Sequence, residues 1–284
     1  MGTFEDLVAE GDAVPLEGWD FSWFDGRATE ERPPWGYASQ IASRLAAVSS
    51  ALDLQTGGGE VTASAPVKPP LLAATESWPP NARVAARNLP EASVVQAPDE
   101  GPLPFHDEMF ELVISRHPVV TPWAEIARVL KPGGTCFSQQ IGEGTNRGLT
   151  EFMMGPQPVG DARATERARA EAEAAGLEVL QLESVALRVA FFDVGAVVHF
   201  LRKVLWTVPG FTVEKYRDRL LDMHEHIQEH GEFACTSTRF LIEARKPWRP
   251  TVRSQVGTKA GPGCAAGARI RTHRTSGADA PGGP

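Results

Sequence analysis

The chain has 284 residues, 42% of them hydrophobic, and a formal net charge of -8. That length supports a full hydrophobic core in one or two domains, and the acidic balance repels a phosphate backbone, so nucleic acid is an unfavoured partner. The three cysteines, Cys136, Cys235 and Cys264, are odd in number and far apart, which argues against a disulfide framework or a zinc pattern.

Residues 1–37 form an aromatic-rich N-terminal cap segment, opening on the acidic MGTFEDLVAEGD. That opening lacks the basic and apolar parts of a signal peptide. Trp19, Phe21, Trp23, Phe24, Trp35 and Tyr37 are too many large rings for a free tail. They are expected to pack over the main domain, with a substrate lid as the alternative. Pro33 and Pro34 interrupt regular structure here.

The main domain is expected over 38–246. The stretch YASQIASRLAAVSS is a helix and SALDL the first strand. After Gly57, Gly58 and Gly59, the prolines at 66, 69 and 70 leave room for only one or two helical turns over 60–65. PPLLAATES, ASVVQA and FELVISR are the second, third and fourth strands, with the helix NARVAARNL after the second. TPWAEIARVL is a helix with Thr121 as N-cap and Pro122 at its first position, stopped by Lys131 to Gly134. GTCFSQQIG is the fifth strand, DARATERARAEAEAAG a helix, and LEVLQLESVALRVAFF the sixth strand.

Strands alternating with helices predict a doubly wound α/β sheet, mostly parallel and covered on both faces. Residues 194–231 break the alternation with two helices separated by VPGFT, a helical insertion before the last strand, STRFLIEARK. Val194, Val197, Val198, Leu201, Val204 and Leu205 form a stripe expected to be core, with an apolar substrate surface as the alternative. The segment 247–284 is rich in Gly, Pro, Arg, Ser and Thr and is expected to be disordered. No apolar run approaches the roughly 20 residues that span a bilayer, so the expected setting is the cytoplasm, without a membrane partner.

Function concentrates at the strand ends. In LDLQTGGGE a strand runs into a glycine turn that brings backbone close to a ligand. It fits neither the GxGxxG dinucleotide loop nor a phosphate-cradling P-loop. Glu76, at the tip of the second strand, suits the two hydroxyls of a ribose. Asp99, just past the third, suits an exocyclic amine such as adenine's, with the Glu100 amide facing a ring nitrogen. Ribose and adenine without a diphosphate suggest S-adenosylmethionine (SAM).

With ATESWPPN, APDEGPLPFHDEMFELVISRH and EIARVLKPGGTCFSQQIG, that loop resembles the class I SAM-dependent methyltransferases over roughly residues 38–182. The resemblance implies a Rossmann-like seven-stranded sheet whose last strand is antiparallel. It implies that Asp53, Gly57 and Gly59 hold the methionine part of SAM, Glu76 the ribose and Asp99 the adenine amine. Ser115, Arg116 and His117 would lie beside the sulfonium. The sequence departs from the family at Gln55, where glycine is usual, and at Glu111, where aspartate is common. The Gln55 side chain is expected to point away from the turn.

Methyl transfer is an in-line displacement that needs alignment and, for a protonated acceptor, a base. His117 is the candidate base, with a pocket-lining or loop-orienting role as the alternative. Arg116 suits a carboxylate of cofactor or substrate, or a scaffold ion pair. Of Gln139 and Gln140, one is expected to face the pocket. HEHIQEH places His226 and His230 one turn apart, but HExxH is absent and a solvated face is expected, so no metal is assigned. The function expected is methylation of a small molecule. The alternatives are an RNA acceptor, a SAM-binding protein without chemistry, or a nicotinamide-dependent oxidoreductase.

Overall fold

A computed structural model describes residues 2–16, 21–158 and 160–248. Trp19, Cys264 and nearly all of the expected disordered tail lie outside the described residues.

Among the described residues, eight strands form one sheet: β1 (Ala28–Glu30), β2 (Ser50–Asp53), β3 (Leu71–Glu76), β4 (Ser93–Gln96), β5 (Phe110–Arg116), β6 (Leu130–Ile141), β7 (Glu178–Phe191) and β8 (Phe233–Arg245). Their order is β1-β7-β8-β6-β5-β2-β3-β4. The run from β4 to β6 is parallel, and β8 is antiparallel to both neighbours, β6 and β7. The expected seven-stranded arrangement is present with one addition. The short β1 pairs antiparallel with the end of β7, Ala28 opposite Phe191. Three residues are too few to show a period-2 pattern, so the pairing partner alone makes this strand.

Neighbouring residues of a strand serve opposite faces. Leu52 and Val113 join a core with Ile126, Ala168 and Ala172, whereas Ala51, Leu112 and Ile114 join one with Ile41 and Leu45. This two-sided burial is why the central strands read as continuous apolar runs. The covering helices are α2 (Tyr37–Ala46), α3 (Glu60–Ala63), α4 (Pro79–Asn88), α5 (Trp123–Val129) and α7 (Thr165–Ala174), with α1 (Phe4–Ala13) and α6 (Arg147–Met154) elsewhere. Of the one or two turns that the prolines leave room for, α3 makes a single one.

Three local expectations need correction. The helix expected from Thr121 starts later: Pro122 is the N-cap, with no side-chain cap bond. Lys131 to Gly134 do not separate helix from strand, because β6 begins at Leu130 opposite Phe110; pairing then jumps to Leu112–Thr135, leaving those four residues as a bulge. Helices α1 and α6 had not been foreseen. α1 buries only Val8 and Gly11, too little for a visible stripe, although Thr3 and Asp6 make a capping box at its start.

The insertion folds as α8 (Val194–Lys203) and α9 (Arg217–His230), which share a third core with α1 and α6. Val194, Val197, Val198 and Leu201 are fully buried in it. The helix ends at Lys203; Val204, its C-cap, stays buried, whereas Leu205 is exposed and leaves the stripe. α8 is anchored at its start: the Asp193 carboxylate caps the Ala196 amide at 2.9 Å and takes a two-point contact from Arg27 at 2.8 and 2.9 Å. Backbones touch where α1 crosses it, since a Cβ on Gly11 would sit 2.2 Å from the Gly195 oxygen. Trp23 and Phe24 pack on His199, at ring distances of 5.1 and 5.0 Å. No helix among the described residues is long and apolar enough to cross a membrane.

Candidate active site

A pocket of about 880 Å³ opens at the C-terminal ends of β2, β3, β5 and β6. Asp53, Gly57, Glu76, Asp99, Arg116 and His117 all line it. Three other sequence candidates do not. Gly59 supports the turn from behind: at φ +78° it faces Leu89, whose Cδ1 would lie 2.9 Å from an added Cβ. Ser115 is buried, its hydroxyl 2.7 Å from that of Ser138 and its carbonyl accepting from Tyr37 at 2.6 Å. Glu100 is exposed and outside the lining.

One half of the pocket is acidic. The Asp53 Oδ2 accepts from the hydroxyls of Thr56 at 2.5 Å and Thr62 at 2.6 Å. Burial raises the Asp53 pKa to about 6, with nearby Glu76 and Glu60 adding to the rise and the two hydroxyls opposing it. Glu76 is held at both oxygens, by the Gly57 amide at 2.9 Å and the Trp78 amide at 2.9 Å. Burial raises its pKa as well, against those two backbone donors. Asp99 accepts from the Ser77 hydroxyl at 3.0 Å. The glycine turn is thus tied to the tip of β3 through Glu76 before any ligand arrives.

Gln55 does not simply point away. Its backbone is left-handed, φ +55°, and its amide nitrogen donates to the Thr75 hydroxyl at 3.1 Å. Its side chain grips the segment after β5, Oε1 accepting from the Val119 amide at 2.6 Å and Nε2 donating to the Val120 carbonyl at 2.7 Å.

His117 also has a left-handed backbone, φ +55°, and its amide donates to the Gln139 carbonyl at 2.7 Å. Its side chain ends a polar chain. The Trp35 indole, a donor only, gives its proton to the Gln139 Oε1 at 2.8 Å. That fixes the Gln139 amide, whose NH₂ then meets the His117 Nε2 at 2.9 Å. Nε2 must accept, so the proton of the neutral ring is on Nδ1. Burial, then Arg116 and Arg239, hold the His117 pKa well below its usual value. Of the two glutamines, Gln139 lines the pocket, whereas Gln140 donates to the Ser138 hydroxyl at 3.2 Å.

The other half of the pocket is apolar with a cationic edge. Ile141, Phe200, Val204, Leu205 and Trp206 provide the apolar wall. Arg239 was not anticipated. It sits on β8, which runs against its neighbours, so its early residues reach the rim where the parallel strands end; Arg239 pairs with Ile141 there. Trp35 and Gln55 were seen in the sequence, but their polar partners are distant in the chain and left no signal. On α9, the rings of His226 and His230 stack at 4.3 Å. No group of three or more His, Cys, Asp or Glu that could hold a metal occurs among the described residues.

Residues 52–138 match the methyltransferase domain family. No curated protein compared with the chain matches it. Among solved structures, the chain resembles a proposed methyltransferase from Bacillus halodurans C-125 at 21% identity and a TM-score of 0.53, covering 75% of this chain and 100% of that one. The YcgJ protein from Bacillus subtilis is similar at 14% identity and a TM-score of 0.51, with 75% and 98% covered. A functionally unknown protein from Deinococcus radiodurans R1 is similar at 17% identity and a TM-score of 0.50, with 77% and 90% covered. At these identities the likeness is one of fold.

Proposed function

We propose that this chain, whose residues 52–138 match the methyltransferase domain family, is a class I SAM-dependent methyltransferase that methylates a small molecule in the cytoplasm. One observation carries the reading: Asp53, Glu60, Glu76 and Asp99 line one half of a pocket that continues into an apolar half. Four carboxylates suit the ammonium, the sulfonium and the ribose hydroxyls of SAM. They oppose a dinucleotide's diphosphate, which disfavours the oxidoreductase alternative.

The residues fit the group. Glu76 spends one lone pair of each oxygen on a backbone amide and keeps others for hydroxyls. Asp53 spends Oδ2 on two hydroxyls, and Oδ1 remains for a cationic amine. Asp99, which lines the same half, suits the adenine amine. When bound, SAM supplies a methyl group activated by its positive sulfur. The protein's part is to align an acceptor with it and exclude water. Trp206, Leu205 and Phe200 suit an acceptor with an apolar body. His117 is neutral, as a base must be, but the lone pair on its Nε2 is engaged by Gln139. We therefore read it as a wall of the pocket that becomes a base only when the Gln139 amide turns away.

Calorimetric titration with S-adenosylhomocysteine, with NADH alongside, tests the reading. Micromolar binding of the first alone supports it. Binding of NADH alone, or of neither, overturns it.

A further inference from the structure

The acceptor half carries more cation than its chemistry so far requires. Arg32, Arg116, Arg202, Lys203 and Arg239 line it, against the acids Glu30 and Glu31. Those acids are committed. Glu31 accepts from the Arg188 amide at 2.8 Å, and Glu30 takes Arg239 at 2.6 Å and the Ser237 hydroxyl at 2.8 Å. Arg202 is likewise committed, to Asp12 at 3.0 Å and to the carbonyls of Gly11 and Val14, both at 3.0 Å. Arg116 is exposed and has no carboxylate within ion-pair distance among the described residues.

Arg116 and Arg239 converge. Arg116 pairs with Gln139 and Arg239 with Ile141, on the two sides of β6. Gln139 and Ile141 are two residues apart and share one face of the strand, so both arginines stand on that face. Two strand spacings and a two-residue offset along β6 put their backbones roughly 12 Å apart, within reach of one anion held between two long guanidinium side chains. Arg239 is pre-set for this. Its side chain is only 11% exposed and is pinned by Glu30, by the Thr145 hydroxyl at 3.2 Å and by the Thr238 carbonyl at 3.0 Å. A third guanidinium, that of Arg163, lies over the Trp206 ring at 5.8 Å.

We propose that this half of the pocket binds a carboxylate or phosphate group of the methyl acceptor, between Arg116 and Arg239, with the acceptor's body against Leu205 and Trp206. The proposal rests on the methyl-transfer reading above and names its substrate class. The electrostatics agree. Burial and the Arg116 charge lower the Arg239 pKa, with Glu30 opposing, and burial and the Arg239 charge lower that of Arg163. Cations crowded in this way gain from an anion among them. On a chain of net charge -8, a local cationic focus also draws an anion that the rest of the surface repels.

The test is calorimetry on the full chain with benzoate, phenyl phosphate and neutral benzamide, each with and without saturating S-adenosylhomocysteine. At least one anion should bind tenfold or more tighter than benzamide in both states, and the two anions separate carboxylate from phosphate. Arg116→Gln and Arg239→Gln should each remove at least fivefold of that preference. Where Arg239→Gln fails to fold, the exposed Arg116 and the wild-type comparison still decide. Equal binding of all three, no binding, or a preference surviving Arg116→Gln overturns the proposal. So does a preference that vanishes when S-adenosylhomocysteine is bound, which would give the arginines to the cofactor. The S-adenosylhomocysteine affinity is read separately: its absence with the anion preference intact removes the methyl-transfer reading and leaves the anion site.

Discussion

Gln55 and Val119 are joined across 64 residues of chain, the Gln55 Oε1 accepting from the Val119 amide at 2.6 Å. With the second bond to the Val120 carbonyl, one side chain ties the glycine turn after β2 to the segment after β5. Gln55→Ala removes both bonds and keeps a left-handed residue; it should cost about 1–3 kcal/mol. Gln55→Gly loses the same bonds but relieves the backbone, recovering about 1 kcal/mol relative to alanine. Urea unfolding of the two variants measures the difference, and equal stability to wild type in both would mean that the grip is idle.

Glu76→Gln puts an NH₂ where an oxygen now accepts from a backbone amide. One of the Gly57 and Trp78 donors is left without its partner. S-adenosylhomocysteine affinity should fall at least tenfold, about 1.4 kcal/mol. Unchanged affinity in calorimetry would remove Glu76 from the ribose.

The raised Asp53 pKa gives a pH dependence whose sign can be worked out. The folded pKa is about 6 against 3.8 for the free side chain. Below about 6 the folded protein carries Asp53 protonated, and ionising it costs stability as pH rises from 3.8 toward 6, after which the cost is constant. A cationic amine prefers the ionised form. Its binding should therefore release a proton below pH 6, and S-adenosylhomocysteine affinity should climb with pH to about 6 and level off. Calorimetry in buffers of different ionisation enthalpy counts that proton. Asp53→Asn should flatten the profile, and a flat wild-type profile would exclude the coupling.

Gln139→Glu tests the chain from Trp35 to His117. A carboxylate keeps the indole bond and faces His117 with an acceptor and a negative charge. The His117 pKa, held well below its usual value in the wild type by burial and by Arg116 and Arg239, should rise. Nuclear magnetic resonance titration of the ring reads this directly. No shift would mean that Gln139 does not set the state of His117.

Gly11→Ala probes the attachment of α1 to α8. The new Cβ would meet the Gly195 oxygen at 2.2 Å, so the helices must part. A loss of about 1–3 kcal/mol in urea unfolding is expected. A loss below about 0.5 kcal/mol would show that α1 contributes little to holding α8.

Much of the sheet and the acidic half of the site were legible because they depend on local pattern. Asp53, Glu76 and Asp99 each follow an apolar run into a turn, and parallel strands bring such ends to one edge. Alternation likewise showed that one of Gln139 and Gln140 faces the pocket, and the register of β6 makes it Gln139. Ser115 misled because the strand continues through it, which turns its side chain to Ser138. Gly59 misled because a glycine needed for packing against Leu89 reads the same as one needed to admit a ligand.

By itself the sequence determined the alternation of strand and helix, the two-faced burial of the central strands and the shortness of α3, since each follows from neighbours a few residues apart. Only the tertiary structure decided that β1 exists, that Gln55 holds Val119, and that Arg239 and Arg116 flank β6 on one face. These depend on which strands pair, in which direction and in which register. Pairing is fixed by the free energy of the whole packed sheet, and no stretch of a dozen residues contains it.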